Sequence, residues 1–241
     1  VFEGIENGTK DGGAIQIDGA TLSIISSAFI GNTGRKGGAL HLINDAMVDL
    51  DLVVFDGNES VDHGGHISVR SGSSLTLAPA GGTCQFNSGL AATSGGAIYV
   101  EDDATLAAVD FDFDNNDADT GGAVYIQSDN GTSSIVDTVF NGNHATNGGG
   151  GAIYFGARVL LGIEGVVFTS NAGTDDGGVV RTGGDSEFTI VDSTFTENSS
   201  DGKGGGVWMQ DGVLGLTDVI FEGNVSAERG GAVAGSGSMS L

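Results

Sequence analysis

Tyr99, Tyr125, Tyr154, Arg181 and Trp208 follow one another at intervals of 26, 29, 27 and 27 residues, and they include every Tyr and the single Trp of the 241-residue chain. Side chains of this kind, repeated in register, suit two tasks: stacking on sugar rings, or forming the centre of a protein interface, where Tyr, Trp and Arg are enriched. Arg181 stands between aromatic neighbours in the series, where cation–π stacking can add to either task. Two residues beyond three members of the series, Glu101, Gln127 and Gln210 would supply polar contacts. The competing reading is a cross-strand aromatic stack that only stabilises a sheet, or one covered by a loop of the same chain.

What holds these residues at a fixed spacing is a repeat. A Gly-Gly pair followed by a small and then a branched aliphatic residue begins at Gly12, Gly37, Gly64, Gly95, Gly121, Gly150, Gly177, Gly204 and Gly230, a mean period of about 27 residues. The aromatic series occupies the position four residues after the first glycine, which reads Gln16, His41, Ser68, Tyr99, Tyr125, Tyr154, Arg181, Trp208 and Ala234. Its neighbours on either side, such as Ile15 and Ile17, are apolar, so strand alternation turns the series outward. A second fixed point is a Phe with Asn three residues later, as in Phe29/Asn32, Phe113/Asn116 and Phe195/Asn198; after Phe86, Gly89 stands where the Asn would be. Seven and five residues before most of these Phe lies an apolar-x-apolar pair, as in Leu22/Ile24 and Leu161/Ile163; the fifth unit is weaker, with Ser133/Ile135, and the third, with four extra residues, has Leu75/Leu77.

Three short period-2 segments per unit, separated by turns rich in Gly, Asn and Asp and free of helical periodicity, predict an all-β chain. The expected fold is one right-handed parallel β-helix over residues 1–241, of about nine coils with three short strands each. Coils stacked about 4.8 Å apart make a rod of roughly 40 Å, with Ile, Leu and Phe columns inside and an Asn column forming an amide ladder at a turn. Gly pairs fit corners that need positive φ or close backbone approach.

At this point the chain resembles a known family. GGA[I/L/V] paired with FxxN in one repeat looks like the polymorphic outer membrane proteins of chlamydiae, from Phe2 to Leu241. The resemblance implies a passenger-like region of a surface-exposed, autotransporter-type adhesin. The chain departs from that pattern in lacking a C-terminal membrane β-barrel and in having one Cys, Cys84.

Composition narrows the partners. With 8 Lys+Arg against 32 Asp+Glu and a formal charge of -24, nucleic acid and anionic lipid are poor partners. No apolar run is long enough to span a membrane, so no direct membrane insertion of this segment is expected. Gly at 45 of 241 residues with one Pro excludes collagen. Neither end carries a polar cap or a capping helix, which suggests a segment of a longer rod or end-to-end self-association.

Other chemistry is weaker in the sequence. Aspartates recur three residues before Phe (Asp110, Asp137, Asp192, Asp218); with Asp112 and Asp114 of the run DFDFDNND, the set Asp110, Asp112, Asp114 and Asp137 could hold Ca²⁺, against a simple turn-capping role. His63 and His66 form an HxxH without a third zinc ligand. Of five N-x-S/T sequons, Asn7 and Asn130 are the better glycan acceptors in a secreted eukaryotic chain, because they fall in turns outside the repeat core. No paired carboxylates or outward base beside clustered acids mark a lyase or hydrolase site, so no catalytic residue and no obligatory cofactor is assigned. The expected function is a non-enzymatic extracellular or cell-surface scaffold that meets a protein receptor or carbohydrate through the aromatic face; the alternative is the subunit of an extracellular fibre.

Overall fold

A computed structural model describes residues 1–78, 84–127 and 132–240, and among these every regular element is a strand. The strands form three sheets that wrap a single solenoid, in which each strand pairs in parallel with its counterpart one coil away. One sheet of nine strands runs from Phe2–Glu3 to Ile220–Glu222 and carries the Phe column. The sixteen-stranded sheet joins the strands that follow the Gly pairs to those of the apolar-x-apolar pairs, because Val207–Thr217 runs through the corner between them. The third sheet, nine strands from Glu6–Asn7 to Val225–Ser226, lies just after the Asn column; most of its members are two residues long, too short for alternation to register in the sequence.

The corners explain the glycine pairs. The first glycine of all nine pairs has φ between 62° and 76°, a left-handed conformation that costs an L-residue with a Cβ. The second meets a different constraint: a Cβ on Gly13, Gly65 or Gly122 would lie 1.9 to 2.1 Å from the carbonyl oxygen of the equivalent glycine one coil on. The same logic accounts for the aspartate column. Ser26, Leu52, Asp110, Asp137, Gly165, Asp192 and Asp218, all three residues before Phe, have φ between 47° and 66°. Asp and Gly tolerate that turn best, so Gly165 continues the column instead of interrupting it.

Nine Phe rings from Phe2 to Phe221, all but these two fully buried, stack at centroid separations of 4.6 to 5.1 Å, which match the coil spacing. Beside them runs the amide ladder. Asn143 is typical: its Nδ2 donates to Asn171 Oδ1 at 2.9 Å and to Phe113 O at 2.8 Å, and its Oδ1 accepts from Asn116 N and Nδ2 at 3.0 and 2.9 Å. Asn58 and Asn198 are fully buried in this ladder, so their sequons offer no accessible amide. Asn7 lies in the strand Glu6–Asn7, paired with Gly34, and not in a turn as its sequence suggested. Asn130 lies outside the described residues.

At Gly89 the ladder lacks an amide, and His66 fills the gap. Its ring is fully buried between Phe55 and Phe86, and its Nδ1 accepts from Asn58 Nδ2 at 2.9 Å, where Asn32, Asn116, Asn143, Asn171 and Asn198 each donate to the next Asn Oδ1. A Cβ on Gly89 would fall 2.6 Å from His66 Nε2, so the glycine makes room for the imidazole. Burial pushes the His66 pKa down to about 3, with opposing contributions from Asn116 and the Asn87 backbone. The neutral form is therefore the folded form, and its stabilisation is complete above pH 6.5 and is lost as pH falls toward 3. Against His66→Gln, which keeps an acceptor but no titrating ring, the native chain should lose up to about 1.4 kcal/mol more per pH unit below pH 6. Equal slopes in urea melts of the two proteins between pH 6.5 and 5 would refute this assignment.

Candidate functional site

The strands that follow the Gly pairs bring the aromatic series into one column. Tyr99 pairs with Tyr125, Tyr125 with Tyr154, Tyr154 with Arg181 and Arg181 with Trp208 on adjacent strands. The tyrosine rings stack at 5.2 and 5.0 Å with interplanar angles of 13° and 7°. Arg181 continues the stack 5.9 Å from the Tyr154 centroid while its guanidinium binds Asp175. Lys203 Nζ stands 4.7 Å from the Trp208 ring centroid, held by Asp176 at 3.5 Å and Glu228 at 3.8 Å.

This geometry corrects the picture of a fully exposed ladder. Tyr99 is 4% exposed, because His63 from the turn before the glycine pair stacks on its ring at 4.3 Å. Tyr125 and Tyr154 are half-buried, and their faces are largely spent on one another. What the tyrosine stretch offers outward is a line of ring edges. Tyr125 Oη donates to Gln127 Oε1. Burial first, then Tyr154 and Glu101, pushes the Tyr125 pKa up to about 12, so the hydroxyl keeps its proton across the physiological range. Burial and Glu101 likewise raise the Tyr99 pKa. Glu101 is tied to Arg70, which also reaches Asp102, whereas Gln127 and Gln210 are exposed.

His63 and His66 straddle the corner Gly64-Gly65 and point to opposite sides of the wall, one onto the outer ladder and one into the core. The HxxH therefore cannot chelate. Each histidine occupies a place that a small residue leaves empty, Ser68 outside and Gly89 inside. The sequence carried a signal for this pairing: the two small residues and the two histidines all belong to one coil.

Asp112 and Asp114 project from the outer face of Phe111–Asp114, with Asp114 accepting from Asn141 at 3.1 Å, while Asp110 and Asp137 sit in separate corner turns. Among the described residues, no three His, Cys, Asp or Glu side chains converge to hold a metal ion. Sequence reasoning also passed over a buried polar group on the same column. His41 Nε2 lies 3.7 Å from Asp11 Oδ2, and Ser68 is on the next strand. Among the described residues His41 Nδ1, Ser68 Oγ and Asp11 Oδ1 are buried with no hydrogen-bond partner, and burial drives the His41 pKa down to about 4. Ser68 is closed to solvent, so this trio presents no reachable nucleophile.

A family model, the Chlamydia polymorphic membrane protein repeat, matches residues 137–156, 192–210 and 218–236. These three segments are similar to that repeat. Each matched segment starts at a left-handed Asp, runs through Phe, Asn and the Gly pair, and ends two residues past the outward column. The polymorphic membrane protein repeat thus takes in Tyr154, Trp208 and Ala234 and omits the apolar-x-apolar strand. No curated protein matches the chain. No solved structure matches it either.

Proposed function

We propose that this chain is a cell-surface, passenger-like β-solenoid without catalytic activity, which presents the Tyr99–Trp208 face to a partner in the manner of an adhesin. The repeat supports the surface setting, since the matched family is one of membrane proteins. The observation that carries the contact role is the concentration of all Tyr and the only Trp in one outward column of a rod whose Phe rings, apart from Phe2 and Phe221, are buried. Half-buried ring edges, with the Tyr125 hydroxyl protonated and flanked by the exposed amides of Gln127 and Gln210, suit the hydrogen-bonding periphery of a protein partner better than flat stacking on sugars.

The test is adhesion. Beads coated with the native chain should attach to cultured animal cells, and Tyr125→Ala/Tyr154→Ala should lower attachment about tenfold or more, the loss of two aromatic contacts. The far-UV circular dichroism of the double variant should match the native chain, because neither ring enters the core. Undiminished attachment by a folded double variant would overturn the proposal.

A further inference from the structure

In the middle of the outward column, Tyr125 and Tyr154 are register partners on adjacent parallel strands, so like edges of their rings lie one above the other. The centroids are 5.0 Å apart and the planes are 7° from parallel. Both side chains are half-buried, and the Tyr125 hydroxyl meets the exposed Gln127 at the outer edge of the stack. On its other face Tyr154 meets Arg181, which leaves Tyr125 as the one phenol against its ring. Tyr99 stacks on the far side of Tyr125, but it is only 4% exposed and His63 closes its second face.

We propose that Tyr125 and Tyr154 are a site of oxidative modification, at which a haem peroxidase using hydrogen peroxide couples the two rings into a dityrosine staple between adjacent coils. The oxidant takes one hydrogen atom, a proton with an electron, from each phenol, and the two hydrogens reduce one peroxide to two waters. The unpaired electron of each phenoxyl radical is shared with the ring carbons ortho to the oxygen, in orbitals perpendicular to the ring. Parallel, facing rings aim those orbitals at each other. A bond then forms between one Cε of each ring, and the hydrogen on each of these carbons passes as a proton to its own oxygen, which restores both aromatic rings. The product keeps both hydroxyls and is two hydrogens lighter. Well-oriented groups react as if at about 10⁵ M or more, so in a micromolar solution coupling within the chain outruns coupling between chains. The staple would close a loop of the unfolded chain as a disulfide does, which the single, buried Cys84 cannot do.

The test uses the native chain, a haem peroxidase and hydrogen peroxide, with no cell or receptor, so its outcome is independent of the adhesion assay. Blue dityrosine fluorescence should appear in the band of monomer size on a denaturing gel. Mass spectrometry of that band should show the loss of two hydrogens and, after digestion, a peptide pair joined at Tyr125 and Tyr154. Tyr125→Phe and Tyr154→Phe keep the stacked rings but remove a phenol, and each should cut the monomer fluorescence about tenfold or more. Tyr99→Phe should leave it unchanged, which separates this pair from the other stacked tyrosine. Circular dichroism matching the native chain checks that the three variants are folded. Fluorescence confined to dimers and larger species, no fluorescence at all, or a monomer signal undiminished in Tyr154→Phe would overturn the proposal.

Discussion

Asn143→Ala should destabilise the rod by about 4 kcal/mol, because it removes a side chain engaged in four buried hydrogen bonds and leaves their partners in place. Phe113 O loses its amide donor, and the backbone and side-chain donors of Asn116 lose their acceptor. A typical hydrogen bond contributes only about 1 kcal/mol net, but each group stranded in the interior costs about 1 to 3 kcal/mol. No water reaches the site, since Asn116, Asn143 and Asn171 are all fully buried. Asn141→Ala is the matched control: its side chain makes one partly exposed bond, to Asp114 at 3.1 Å, and the cost should stay within about 0.5 kcal/mol. Urea midpoints of the two variants measure the difference. A cost below about 1 kcal/mol for Asn143→Ala would mean that the ladder follows from the stacking without supporting it.

Gly122→Ala should be at least as damaging, for a steric reason. The added methyl would lie 2.1 Å from Gly151 O and 2.6 Å from His144 backbone atoms. All of these are backbone, fixed by the parallel pairing of neighbouring coils, so no side chain can rotate away. Relief requires the coils to part at that corner, breaking hydrogen bonds such as Gly122 N to Gly150 O at 3.1 Å. A cost of about 3 kcal/mol or more, or failure to fold, is expected. Gly162→Ala makes the contrast: nothing lies within 4 Å of its added methyl and its φ is ordinary, so the change should be neutral or stabilising by up to about 1 kcal/mol. Thermal melts that rank the two variants equally would remove close backbone approach as the reason for the second glycine.

These two variants rest on positions legible in the sequence, and the outer face shows where that legibility ends. Phe140, Asn143 and Gly150 could each be assigned a place from spacing alone. Tyr99 belonged to the same register, yet its exposure depended on His63, a residue from the preceding corner whose reach across to the next coil no period encodes. The aspartates before Phe are instructive in another way. Their alignment was real, but its cause is a left-handed backbone at that corner, which Gly165 shares and a cation does not require. Likewise the missing amide at Gly89 looked like a fault in the ladder until His66 was found in its place.

In a solenoid each residue meets its counterpart one coil away, so a period of about 27 residues already amounts to a list of contacts. The sequence alone therefore determined the parallel coils, the inward Phe and Asn columns and the glycine corners, because the chain itself encloses those positions on every side. Only the tertiary structure decided which outward rings stay open and where the two histidines go. Outward side chains are bounded by whatever the irregular corners place over them. That depends on the direction and reach of single side chains such as His63, which spacing does not record.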